Sequence, residues 1–215
     1  MRKTGIVFSI LSAIVFMAIS PASALDKGGI ILYGGPVIAP IVGGDASDGD
    51  DAPGYDDLFN TGAGPGMDGM LAVSRYLRVG GGFSVLVFTG DDLDDGDVSK
   101  WWVAPMMLGV QFFPLKWERG SLRPYLRLDM GMAYLSGVKV DGPEKNDDAR
   151  LFTTSTEFAG DVGIGLEWLF KSNWGVFLDI RYMMVNHPME GGGIPITDPD
   201  PVAFLPISLG VSYTY

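Results

Sequence analysis

Charged residues recur at two-residue spacing in the second half of the chain: Arg127 with Asp129, Asp179 with Arg181, and, between these pairs, Asp161 and Glu167 at like parity. A spacing of two puts both members of a pair on the same face of a strand. Guanidinium and carboxylate groups gathered on one enclosed face can neutralise one another, hold water or gate a passage. Other reactive side chains are scarce. His187 is the single histidine, it precedes Pro188, and no His-x-Ser pattern surrounds it, so a nucleophile-and-base pair is not assembled in the sequence. With no cysteine and one histidine, a zinc site is not expected either. The runs "DASDGDDAPGYDD" and "DDLDDGD" invite a calcium reading, but in the second run Leu93 occupies loop position three counted from Asp91, where the Asp-x-Asp-x-Asp-Gly spacing needs an Asp. They read as solvated acidic loops, with loose divalent bridging left open. We therefore expect no catalytic residue, no bound metal and no cofactor.

The elements that carry these charges are strands. In "PYLRLDMGMAY", Leu126, Leu128, Met130, Met132 and Tyr134 alternate with Tyr125, Arg127, Asp129, Gly131 and Ala133. "DVGIGLEWLF" and "WGVFLDIRYMMV" repeat the pattern, and the last residues alternate Leu209, Val211, Tyr213 and Tyr215 with Ser208, Gly210, Ser212 and Thr214. One face is large and apolar, while the other is small or charged. A soluble barrel reverses this, with bulky aliphatics inside and Lys and Glu outside. The observed sizes suit the crowded interior of a narrow barrel with lipid as its outer neighbour. Aromatics group as two interfacial girdles: Trp101, Trp102, Tyr134, Phe158 and Phe204 at one end, and Phe112, Phe113, Trp117, Trp168, Phe170, Trp174, Tyr213 and Tyr215 at the other.

Turn signals divide this pattern into eight strands spanning about 28–42, 67–78, 81–90, 101–115, 122–140, 156–171, 174–187 and 204–215. Short connections near Val79–Gly82, Lys116–Ser121 and Ser172–Asn173 alternate with long polar ones over 43–66, 91–100, 141–155 and 189–203. Pro36, Pro40 and Pro105 lack the N–H a closed ladder uses, so bulges or displaced strand ends are expected there. The fold class is thus all-β: an eight-stranded antiparallel transmembrane barrel with short periplasmic turns and long extracellular loops.

The 215-residue chain has room for one substantial domain. Residues 1–24 read as a secretory signal peptide: Arg2 and Lys3, the apolar stretch "TGIVFSILSAIVFMAIS", then Ala22-Ser23-Ala24 before Leu25. The barrel domain is assigned to 25–215. Setting Arg2 and Lys3 aside leaves 13 basic residues against 26 acidic, which disfavours nucleic acid as a partner.

The ending "SLGVSYTY" places Ser208, Gly210, Tyr213 and Tyr215 in a polar-x-Gly-x-x-aromatic-x-aromatic order. Together with "LRPYLRLDMGMAYLS" and "GIGLEWLFKSNWGVFLDIRY", it makes the chain resemble the small outer-membrane β-barrel family, the OmpA-like and OmpW-like eight-stranded group. The resemblance implies a Gram-negative-type cell outer membrane and recognition of the ending by the β-barrel assembly machinery after escort by periplasmic chaperones. It also implies outer-membrane lipid and lipopolysaccharide as surroundings, with any extracellular ligand of the loops unassigned. No peptidoglycan-binding domain follows this barrel, so wall anchoring is not expected.

An eight-stranded interior is filled by side chains. The primary functional expectation is therefore a structural or surface-interaction barrel plugged by Arg127, Asp129, Asp161, Glu167, Asp179 and Arg181, with Arg75 or a retained proton balancing the excess acid. The alternative is a narrow channel or pocket for small or hydrophobic solutes, lined by Phe177, Met183, Met107 and Phe113; a lipid-modifying enzyme ranks last. The terminal signal generates a direct expectation: Tyr215→Asp lowers the amount of protein reaching the outer membrane without altering synthesis. Unchanged levels of folded variant in membrane fractions would show that the ending is not read.

Overall fold

The computed structural model describes residues 29–46, 54–93, 96–115, 120–141, 149–170, 173–189 and 200–215. The expected leader, Trp117 and the acidic segment 47–53 lie outside these residues. In chain order the elements are β1 (Ile30–Ala39), β2 (Ile41–Gly43), α1 (Tyr55–Leu58), β3 (Gly62–Ala72), β4 (Leu77–Ser84), β5 (Leu86–Phe88), β6 (Asp92–Leu93), β7 (Gly96–Val98) and β8 (Trp101–Phe112). They continue as β9 (Leu122–Leu135), β10 (Val138–Asp141), β11 (Ala149–Phe152), β12 (Ser155–Leu169), β13 (Trp174–Val185), β14 (Val202–Phe204) and β15 (Ile207–Thr214).

Eight of these, β1, β3, β4, β8, β9, β12, β13 and β15, pair antiparallel in sequence order, and β1 pairs with β15 to close the ring. β5 prolongs β4 past a break at Val85, while β2 and β14 prolong the wall at the long-connection end. Closure leaves no open sheet edge around the wall, the condition for a sheet to sit in hydrocarbon. Above the rim, β6, β7, β10 and β11 form a second four-stranded sheet that joins the β5–β8 connection to the β9–β12 connection.

Outward residues are large and apolar, among them Leu122, Leu126, Met130, Ile164 and Leu209, with Leu108 71% exposed. So continuous an apolar exterior is untenable in water and needs lipid. The expected girdle residues Trp102, Tyr134, Phe158, Phe112, Trp168, Phe170, Trp174 and Tyr215 are exposed, and Tyr213 is half-buried. Trp101, Phe204 and Phe113 are not girdle residues: all three point inward and are buried. In the Trp101-Trp102 pair only one ring can face out, because successive side chains alternate.

The first short turn also differs from expectation. It lies at Val73–Tyr76, where the Ser74 hydroxyl accepts from the backbone N–H groups of Tyr76 and Leu77 at 3.2 and 3.1 Å. Gly80, Gly81 and Gly82, which read as a turn, run through the middle of β4. A Cβ at Gly80 would stand 2.1 Å from the Gly69 carbonyl oxygen, so the glycines permit close approach of neighbouring strands. Likewise "GAGPG", read as loop, opens β3. Pro36 and Pro65 sit directly opposite one another, and no bond is required between two residues of a non-hydrogen-bonded pair. The cost falls on the other side of β1, where the register with β15 lapses between Gly34↔Val211 and Val37↔Ser208. Pro40 separates β1 from β2, and Pro105 lies in β8 where its neighbour changes from β4 to β5.

A charge on the outer face distinguishes the two possible solvents. Leu128, mid-β9 and exposed, replaced by Arg is expected to cost ~2–4 kcal/mol of folding stability in lipid bilayers. Urea unfolding in vesicles measures it, and an unchanged or raised stability would mean that water, not hydrocarbon, covers this face.

Candidate functional site in the barrel lumen

Inward residues divide the interior into a charged zone near the short turns and an apolar zone near the long connections. Parity along each strand determines the membership. Arg123, Tyr125, Arg127 and Asp129 come from β9, Asp161 and Glu167 from β12, and Asp179 and Arg181 from β13. All eight are buried.

At the short-turn end Glu167 is the centre. Its Oε2 lies 3.0 Å from Arg78 Nη1 and 3.7 Å from Arg123 Nη1. The Tyr33 hydroxyl sits 3.1 Å from Glu167 Oε1 and 3.2 Å from Gln111 Oε1, donating to one at a time, and accepts from Arg78. Both guanidiniums stack on the Phe113 ring, with Arg78 4.2 Å and Arg123 4.1 Å from its centroid.

Higher in the lumen Arg127 takes the central role. It donates to both oxygens of Asp68, at 2.7 and 3.2 Å, to Asp129 through Nε, and to Asp179 at 3.5 Å. Asp179 also accepts from the Tyr125 hydroxyl at 2.9 Å. Arg181 meets Asp161 at 3.4 Å, Asp179 at 3.7 Å and the Ser208 hydroxyl at 3.5 Å. Side chains of this length fit because the facing positions are glycines. Gly163 lies between Arg127 and Arg181 in the ladder, and Gly165 lies between Tyr125 and Asp179. An added Cβ at Gly165 would come 2.1 Å from the Tyr125 ring, and one at Gly109 would come 1.8 Å from Asp129 Oδ1.

Above this lies a cavity of about 20 Å³ whose lining includes Asp68, Met107, Phe177, Arg181 and Ser208, room for roughly one water. The interior nearer the long connections is predominantly apolar. Trp101 is ringed by Tyr55, Phe59, Phe88, Phe152 and Phe204, with ring centroids 5.0 to 6.4 Å from its own. Leu58, Val103, Leu135 and Val185 complete the packing, and α1 with its preceding turn brings Tyr55 and Leu58 into the mouth.

The six charged residues singled out from sequence thus meet in one lumen, but in two groups, with Glu167 apart from the other five. The expected balancing cation, Arg75, is exposed in the β3–β4 turn and contributes only a carbonyl, which accepts from Arg123 Nη2 at 3.4 Å. Arg78, Arg123 and Asp68 join these six in the lumen. Arg123 shares the odd parity of Arg127, so its inward direction was available. Arg78 was hidden by the misplaced turn. Phe177, Met183, Met107 and Phe113 all point inward, Phe113 against the arginines rather than in the apolar zone. Of the terminal residues, Ser208 faces the lumen, Tyr213 is half-buried and Tyr215 is exposed. His187 is exposed just past β13, its Nδ1 3.4 Å from the Pro188 carbonyl oxygen. Among the described residues no group of three His, Asp or Glu side chains is placed to hold a metal.

The family model described as outer membrane protein beta-barrel domain matches residues 9–214. Among curated proteins none matches. Neisserial surface protein A has a similar structure, with 12% identity, a TM-score of 0.54, and coverage of 88% of this chain and 100% of its own. The outer membrane protein OprG of Pseudomonas aeruginosa gives 13% and 0.54, covering 91% of this chain and 99% of its own. Ail, the attachment invasion locus protein of Yersinia pestis, gives 14% and 0.52, covering 88% and 99%. At these identities the likeness concerns the fold.

Removing Arg127 leaves Asp68, Asp129 and Asp179 facing one another without their shared cation. Arg127→Ala is expected to lower the unfolding free energy by ~3–5 kcal/mol where no water replaces the guanidinium. Arg150→Ala, at an exposed position of β11, is expected to stay within about 0.5 kcal/mol of wild type. Denaturant titration of both variants in detergent makes the comparison.

Proposed function

The chain belongs to the outer-membrane protein β-barrel family, and from that premise we propose that it is a plugged barrel with a structural or surface-interaction role. The observation that carries this reading is the filled interior: ion pairs occupy the half near the short turns, aromatic packing occupies the other, and between them is space for about one water. In this reading the packing of the described residues leaves a hydrated ion no open column to follow. In this reading residues 1–24 are cleaved on export, the short turns face the periplasm, and the long connections with their rim sheet face outward. Lipid and lipopolysaccharide surround the girdles, and the assembly machinery reads the ending at Ser208, Gly210, Tyr213 and Tyr215. The resemblance to Ail, a protein named for attachment and invasion, agrees with a surface role. We assign no catalytic role: among the described residues the exposed His187 meets only the neighbouring Pro188 carbonyl.

A second reading, passage of small hydrophobic solutes, draws on the apolar outer half, where Met107 and Met183 belong to the cluster around Trp101. Planar-bilayer recording separates the two. The plug predicts no steady open level for wild type and leak currents for Arg181→Ala, which loses its contacts to Asp161, Asp179 and Ser208. A large, steady wild-type pore would overturn the plug and move transport ahead.

A further inference from the structure

Tyr55 occupies an unusual position for a residue on a connection. The chain leaves β2, turns at Gly44 with φ of +100°, a conformation that favours glycine, and returns inward through the Asp45↔Gly54 bridge. The Tyr55 N–H donates to the Gly44 carbonyl at 3.1 Å, and the side chain descends into the mouth until it is fully buried. There its ring lies nearly parallel to Trp101, at 15° with centroids 6.0 Å apart, and 5.7 Å from the Phe152 ring.

Two polar groups in this packing are poorly served. Among the described residues the Tyr55 hydroxyl reaches only the Asp200 carbonyl oxygen, at 3.5 Å, and burial raises its pKa above the ordinary phenol value, with the Asp200 charge adding to the shift. Trp101 is wholly buried, and its Nε1–H finds no acceptor among the described residues. A buried donor without an acceptor is a standing cost. The surroundings are otherwise those of an aromatic slot: flat rings, Asp200 beside the Tyr55 hydroxyl, and one unused hydrogen-bond donor in Trp101 Nε1–H.

We propose that this slot is a binding site for a planar aromatic molecule carrying a hydrogen-bond acceptor, and that Tyr55 is its internal occupant. A molecule arriving from the long-connection side displaces the Tyr55 ring, stacks on Trp101 and accepts from Nε1. α1 leaves with Tyr55; it is four residues long, and the barrel wall below it is unaltered. Binding here does not require conduction, so the inference stands apart from the choice between plug and pore. The donor and the stacking geometry select the chemistry: an alkane supplies neither an acceptor nor a flat face.

Pyridine and benzene are matched probes, equal in shape and differing in the acceptor. With the full-length protein in micelles, indole ¹⁵N resonances report Trp101, assigned by its loss in Trp101→Phe. In wild type, pyridine is expected to shift the Trp101 indole N–H resonance saturably, and benzene to bind about tenfold more weakly for want of the acceptor. Tyr55→Ala, with the slot vacated, is expected to bind pyridine at least about tenfold tighter than wild type. Trp101→Phe, which lacks the indole reporter and is read instead by saturation-transfer signals of the two probes, is expected to show no preference for pyridine over benzene. If the wild-type Trp101 resonance does not move with pyridine, the proposal is overturned even when Tyr55→Ala binds, since that cavity would be made by the substitution. Equal affinities for pyridine and benzene in wild type would overturn the role of Nε1. The wild-type arms need no variant beyond the assignment, so misfolding of Tyr55→Ala leaves them decisive.

Discussion

The guanidinium of Arg127 joins carboxylates that originate on three different strands. Asp129 is on its own strand, Asp68 is on β3 and Asp179 on β13, and neither β3 nor β13 is a ladder neighbour of β9. Backbone hydrogen bonds hold each strand only to its two neighbours, so they close the ring without fixing the shape of its cross-section. The bridge through Arg127 does so, by tying walls that face each other across the lumen. The Glu167 group repeats the device nearer the short turns, drawing β4 and β9 toward β12. Each long side chain then demands an empty place opposite, and this is why the inward row of β12 contains Gly163 and Gly165. Charge pairing and glycine placement are therefore one constraint viewed from two residues.

This coupling explains which parts were legible in the sequence. Where a strand carries both an apolar row and a row of small or charged residues, the parity fixes its facing. Asp179 and Arg181, or Arg127 and Asp129, are then inward whatever the exact strand ends. β9, β12 and β13 have such rows, and their extents were readable to within a few residues, β9 ending earlier because its continuation forms β10. β3 and β4 do not. Glycine there serves close packing between strands, a property of partners far away in the chain, and locally it is indistinguishable from a turn signal. Misplacing that turn hid Arg78 and left Arg75 as the apparent candidate.

The apolar half was less legible for a related reason. Parity says that one of Trp101 and Trp102 faces inward, yet aromatic residues serve equally well at a lipid interface and in a packed interior. Only the three-dimensional arrangement shows that Trp101 meets Tyr55, Phe152 and Phe204, residues drawn from three separate long connections or their margins. Tyr55 itself sits within an acidic run that reads as a solvated loop. Its burial depends on the backbone reversal at Gly44 and on a partner forty-six positions along, and no local periodicity encodes either.

The lapse in the ladder between β1 and β15, opposite Gly35 and Pro36, also bears on how the wall comes into being. These strands are the most distant in the chain of all the neighbouring pairs, so their junction carries the greatest loop-closure entropy and is the last that contiguous hairpins can supply. A wall assembled from contiguous hairpins would thus close along β1 and β15, the two margins left free until the end. Elsewhere the zipper has regular teeth; at Pro36 it skips. Zipping from either end would have to cross that gap before the hoop bears tension, and the same gap leaves this seam with fewer backbone bonds than an unbroken ladder of its length.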